Sequence, residues 1–184
     1  MFKAIKLKKI IIWVVLFLVL INAKNITKIF FPVNYGEIVY KYAKEYEVSP
    51  SLIFSIIKAE SDFKPDAVSN KEAHGLMQIT EPTAKWISEK LEKPELCKDF
   101  LVPENNILMG TYYIKYLLDM YDGNEHLALC AYNAGFNLVN RWLKDENFSP
   151  DGKTLTKIPY RETELYVTKV INNKKFYDIL YLSE

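Results

Sequence analysis

A helical stripe that ends on a carboxyl group is the first feature of this chain able to do chemistry. Leu52, Ile53, Ile56, Ile57 and Glu60 recur at spacings of three and four, so the acid sits on the apolar side of its own helix. Desolvating a carboxylate is costly, and glutamate is rarely placed that way. Irregular chain follows from Asp66, and then the apolar knot Gly75-Leu76-Met77-Gln78. A carboxyl on an apolar wall, with a glycine that allows close backbone approach and an amide nearby, suits acid catalysis on a neutral polar polymer. Packing against Ile56, Ile57, Phe63 or Met77 would lift the Glu60 pKa, and a lift of about two pH units corresponds to roughly 2.7 kcal/mol. A second carboxylate is harder to find. Asp62 lies two positions on and points to another helix face, while Asp66, Glu72 and Glu81 read as solvated loop charges.

The elements that must position Glu60 are helical almost throughout. Ile38, Tyr42 and Tyr46, with Val39 and Ala43, give one apolar face to a helix beginning near Tyr35. Ser49 reads as an N-cap and Pro50 as the first residue of the Glu60 helix. Pro65 ends regular structure, and 66–75 reads as a loop. Thr80 and Pro82 start a helix carrying Ala84, Ile87 and Leu91. After a loop from Pro94 to Pro103 come a longer helix from Glu104 to Tyr121, a turn at Asp122-Gly123-Asn124, and a short apolar helix from Leu127 to Ala134 closed by Gly135. A further short helix covers Asn137 to Leu143, a polar loop Asn147 to Pro159, and a closing helix Arg161 to Tyr181. Strand signal is slight.

With 184 residues the chain suffices for one domain with a core and is short for two. Its 49% hydrophobic content excludes a disordered chain. The formal charge of +1 gives no field to recruit nucleic acid, so no nucleic-acid partner is expected. Thirteen tyrosines and three tryptophans suit a ligand held by stacking and hydrogen bonds instead. Cys97 and Cys130 have no CxxC or histidine-rich context, which argues against a metal site. They read as two separate thiols, with a single disulfide as the alternative outside the cytosol.

Lys3, Lys6, Lys8 and Lys9 precede an unbroken apolar run from Ile10 to Ile21, the pattern of an export signal. Twelve apolar residues are short for a span, yet Asn22 and Ala23 can extend the run, and Ile21-Asn22-Ala23 is a poor cleavage site. The expectation is an uncleaved anchor in the cytoplasmic membrane through residues 10–23, with a cleaved signal as the alternative. Residues 1–33 would be anchor and tether, and 34–184 the working domain outside the cytoplasm.

Several pieces now stand in order: Glu60-Ser61-Asp62-Phe63, Ser69, Gly75-Leu76-Met77-Gln78-Ile79-Thr80, Asn106-Ile107 with Gly110, Ala131-Tyr132-Asn133-Ala134-Gly135, and Ile158-Pro159-Tyr160-Arg161-Glu162-Thr163. Together they resemble the soluble lytic transglycosylase catalytic domain over about Tyr35 to Tyr181. The resemblance implies an all-α, goose-type-lysozyme-like fold acting on peptidoglycan glycan strands at the MurNAc-GlcNAc bond, as a monomer with no cofactor. It also implies a lone glutamate, Glu60, that protonates the leaving oxygen and then acts as base on the sugar's own 6-hydroxyl. The product is a 1,6-anhydro-muramoyl end, and the substrate's 2-acetamido group replaces a second carboxylate.

Other roles follow from matching positions. Ser69 lies near the acid, Gln78 hydrogen-bonds substrate, Tyr132 places its hydroxyl beside the acid, and Asn133 and Glu162 belong to the sugar groove. Each has a plainer alternative: a turn serine, an amide holding its loop, a core tyrosine, a helix-end asparagine and a helix N-terminal charge. Tyr166, one turn beyond Glu162, could add a stacking edge. Lys71-Glu72-Ala73-His74 departs from the small residues usual in that family before Gly-Leu-Met-Gln, with two charges in place of two small residues. The rival activities are a hydrolytic goose-type muramidase and a catalytically silent wall-binding scaffold.

Overall fold

The computed structural model describes residues 12–15 and 17–182. Its centre is the helix that carries the acid. This helix, Pro50–Glu60, has every residue from Ser51 to Ile57 buried, because its middle is apolar on all sides and its two serines turn inward. Ser55 Oγ donates to the Leu52 carbonyl at 2.7 Å, which satisfies a hydroxyl that would otherwise be stranded in the core. Pro50 takes the first helical position as expected, but Ser49 does not cap; its hydroxyl pairs with that of Ser51 at 2.8 Å.

In chain order the helices are α1 Ala23–Phe30, α2 Gly36–Glu45, α3 Pro50–Glu60, α4 Glu81–Lys90, α5 Pro103–Met120, α6 Glu125–Ala134, α7 Phe136–Trp142 and α8 Arg161–Tyr177. A 3-10 turn covers Pro94–Cys97, and a π turn, Asp178–Leu182, extends α8 to the end of the expected closing helix. The most extensive packing is α3 on α8, with α5 on α6 next. Thr80 caps α4 through its hydroxyl, which accepts from Thr83 N, and Gly135 ends α6 at φ 86°. Cys130 is buried and Cys97 half-buried, both as free thiols.

The loop expected over 66–75 contains more order than its composition suggests. Ala73–His74 (β1) pairs antiparallel with Ile79–Thr80 (β2), and the pair closes the Gly75 to Gln78 knot into a tight turn. The chain is thus mostly helical with one small sheet among the described residues. Two-residue strands are too short to show a period in sequence.

The knot is fixed to the helices on two sides. Ser61 Oγ donates to the Leu76 carbonyl at 2.9 Å, tying it to the end of α3. From α5, the fully buried Asn106 accepts from Met77 N at 2.8 Å and donates to the carbonyls of His74 and Phe100, both at 3.0 Å. Gly75, at φ 78°, lets Asn106 approach; a β-carbon there would lie 2.6 Å from Asn106 Nδ2. Gly110 does the same for Met77, whose Cβ would lie 2.7 Å from an added β-carbon. Gly110→Ala is therefore expected to destabilise the fold by about 1–3 kcal/mol through overpacking, measured as a lowered denaturant midpoint.

The structure does not show the expected anchor. Lys3 to Ile11 lie outside the described residues. Among the described residues no single helix is long and apolar enough to cross a membrane; Ile12–Ile21 and Ala23–Phe30 are bent by 64° relative to one another. The expected tether, Lys24 to Val33, is not loose chain. Most of it is α1, and beyond α1 the Tyr181 and Tyr177 hydroxyls donate to the Phe31 and Pro32 carbonyls at 2.7 and 2.9 Å.

Candidate active site

Glu60 is the last residue of α3, and the two residues that set the chain's departure, Asp62 and Phe63, both have positive φ. That reversal turns the chain away and leaves Glu60 lining a cleft of about 340 Å³. Ser69, Gln78, Tyr132, Asn133 and Glu162 line the same cleft with it, so these six residues are brought to one place. Lys71, Thr80, Thr83 and Tyr113 complete the polar and aromatic lining.

Burial pushes the Glu60 pKa up from 4.5 to about 7, and the Tyr166 hydroxyl and the Lys169 ammonium only partly offset it. This is the desolvation expected of an acid at the end of an apolar stripe. Tyr166 is a residue the sequence placed wrongly. It is 8% exposed rather than offering a stacking edge, and its hydroxyl faces Glu60 without a partner at good hydrogen-bond geometry among the described residues. Burial first, and then the neighbouring carboxylate, hold the Tyr166 and Tyr132 hydroxyls well above pKa 10, so both remain O–H donors.

These side chains also tie parts of the protein together. Ser69 Oγ accepts from Lys71 N and Ala73 N at 3.2 and 3.1 Å, which is a turn-forming role. Gln78 Nε2 donates to the carbonyls of Ala67 and Gly75 at 3.1 and 2.9 Å, holding the loop from within. Tyr132 Oη donates to the Met77 carbonyl at 2.9 Å, so it braces the knot while its charge-sensitive environment includes Glu60. Asn133 Oδ1 accepts from Thr163 Oγ1 at 2.8 Å, joining α6 to α8. Glu162 reaches Lys71 at 2.8 Å, an exposed pair that links α8 to the turn before β1. Asp62 pairs with Lys58 at 2.8 Å and is 65% exposed, outside the cleft lining.

Lys169 was not anticipated. Its Nζ donates to the Ala59 carbonyl at 2.6 Å, neutralising the negative end of α3 beside the acid. The signal was present, since 162, 166 and 169 fall on one stripe of α8 at spacings of four and three. His74 packs edge-on against Phe100 with ring centroids 5.8 Å apart and is not part of the cleft lining.

A model of the transglycosylase SLT domain matches residues 37–154, well over half of the chain. The chain belongs to the transglycosylase SLT domain family. It is 32% identical over 150 residues to the soluble lytic murein transglycosylase of Salmonella typhimurium, covering 80% of this chain and 23% of the relative. It is 34% identical over 168 residues to the membrane-bound lytic murein transglycosylase C of Serratia proteamaculans, covering 78% of this chain and 46% of the relative. Among solved structures, an inactive mutant of lytic transglycosylase Slt from Pseudomonas aeruginosa superposes with a TM-score of 0.73 at 32% identity, over 85% of this chain and 26% of that one. The SLT chain described here therefore spans about a quarter of its soluble relatives and under half of the membrane-bound one. Its fold is the lysozyme-like SLT fold. The family match ends before α8, which supplies Glu162, Tyr166 and Lys169 to the site.

Within this SLT domain, Lys169→Met is expected to raise the Glu60 pKa further, because a cation that favours the carboxylate is lost. A general acid works while protonated, so the alkaline limb of the pH–rate profile should move to higher pH. A limb that stays put would place Lys169 outside the electrostatics of the acid.

Proposed function

We propose that this chain is a peptidoglycan lytic transglycosylase in which Glu60 is the single acid and base. The observation that supports this most is an acid with a pKa near 7 in the cleft of an SLT domain. Half-protonated near neutral pH, Glu60 can give its proton to the glycosidic oxygen between MurNAc and GlcNAc as positive charge develops at the anomeric carbon. The 2-acetamido oxygen of the same sugar closes on that carbon and holds the charge. Glu60, now a carboxylate, takes the proton from the 6-hydroxyl, whose oxygen attacks the anomeric carbon and displaces the acetamide. Bond cleavage and ring closure balance with no water consumed, leaving a 1,6-anhydro-muramoyl end and a free GlcNAc hydroxyl.

A catalyst that need not hold a second carboxylate beside the first accords with the lining, where the other acid, Glu162, is tied to Lys71. Asn133 and Glu162 are assigned to sugar contacts. Ser69, Gln78 and Tyr132 serve the substrate by fixing the knot that forms the cleft wall. The domain is held at the outer face of the cytoplasmic membrane by the apolar segment through residue 21. Digestion of purified sacculi by the full chain, with product masses recorded, tests the reaction. Fragments lighter by one water than hydrolytic products are expected. Reducing ends alone would make the enzyme a muramidase, and no digestion would leave a wall-binding scaffold.

A further inference from the structure

The amphipathic helix α1 is turned the wrong way round for a soluble domain. Ile26, Ile29 and Phe30 share one stripe and are 39%, 75% and 64% exposed, and no residue of α1 is buried. The opposite face is the one nearer the domain. Thr27 and Lys28 are the partly shielded positions, and Lys28 Nζ stands 5.0 Å from the centroid of the Tyr181 ring. A helix packed on a core normally turns its apolar stripe inward. Here the cation faces the protein and the apolar stripe faces away.

Direction alone is not freedom, for the helix is clamped where it joins the domain. Phe31 stacks on Phe176 with centroids 4.6 Å apart, and the tyrosine hydroxyls of the α8 end hold the Phe31 and Pro32 carbonyls. The other end of α1 runs directly into residues 12–21, where Trp13 and Leu20 are 71% and 74% exposed. The run of twelve apolar residues, Ile10 to Ile21, would span about 18 Å if helical throughout, against a hydrocarbon thickness of about 30 Å. Its outer end would lie below the outer boundary and draw the next residues in. The 64° bend then carries α1 closer to the membrane plane than to the normal. Lys3, Lys6, Lys8 and Lys9 provide positive charge for anionic headgroups at the opposite boundary.

We propose that α1 is an interfacial helix whose Ile26, Ile29 and Phe30 stripe lies in the outer lipid boundary, so that the clamp at Phe31 and Pro32 fixes the height and attitude of the cleft above the bilayer. This rests on the reading that residues through 21 enter the membrane. The occupant of the apolar stripe is lipid, because α1 follows that segment directly along the chain and its back is the face presented to the protein. The enzyme would then act on glycan within a fixed reach of the membrane surface instead of sampling the wall on a loose tether.

The test uses the full chain with Cys97→Ser, reconstituted into vesicles of phosphatidylethanolamine and phosphatidylglycerol, with a nitrobenzoxadiazole label on one introduced cysteine. The labels sit at Leu18→Cys, Ile29→Cys and Lys24→Cys; native Cys130 is fully buried. With the domain facing outward, dithionite added outside should reduce the label at 29 several-fold more slowly than at 24, and the label at 18 more slowly still. Equal rates at 29 and 24 with protection at 18 would overturn the interfacial helix and leave the anchor standing. Fast reduction at all three positions would overturn both.

Discussion

Glu60→Gln is expected to lower glycan cleavage by about 10²–10⁴-fold, the range for loss of a general acid, while making the protein more stable above neutral pH. The stability effect follows from the same burial as the activity. The folded-state pKa is raised from 4.5 to about 7, so between those values the folded protein binds more protons than the unfolded chain. Stability therefore falls as pH rises through this window, by at most about 3 kcal/mol once it is passed. Glutamine carries no charge to desolvate and removes that dependence. Melting temperatures of the two proteins should converge at pH 4 and separate at pH 8, with the variant higher. A variant less stable at pH 8 would mean that the carboxylate is held by partners rather than strained by burial.

Asn106→Ala should be the most damaging change outside the acid. Alanine leaves the Met77 amide and the His74 and Phe100 carbonyls without their partner in a fully buried setting. Unmet buried groups cost about 1–3 kcal/mol each, and partial relaxation brings the expected loss to about 3 kcal/mol. Cleavage should fall as well, since the knot braced by Asn106 carries Gln78 and receives the Tyr132 hydroxyl at Met77. Hydrogen exchange separates this from general loosening: the Met77 amide should lose protection far more than amides in α8. Uniform loss across the core would mean that Asn106 fills space and little more.

Most helices were legible because apolar residues recur at helical spacing and their ends carry recognisable residues, such as Pro50, Thr80 and Gly135. The acid was legible for a sharper reason, a charge on an apolar stripe. What the sequence hid depends on contacts between distant residues. Asn106 is 29 positions from Met77, and nothing in its own helix marks it as the brace of the knot. Lys169 caps a helix 110 positions away. Ser69 and Gln78 also hold backbone groups of their own loop, contacts that matching positions in the sequence do not reveal. Helical spacing alone cannot tell which groups a polar side chain will reach.

Carbon-detected NMR titration of the glutamate side chains, with Glu60→Gln to assign the signal, reads the protonation of the acid itself. A midpoint near 7 for Glu60 is expected, well above the ordinary 4.5. A midpoint at the ordinary value would show a carboxyl in contact with bulk water, unable to hold the proton that cleavage of the sugar bond requires.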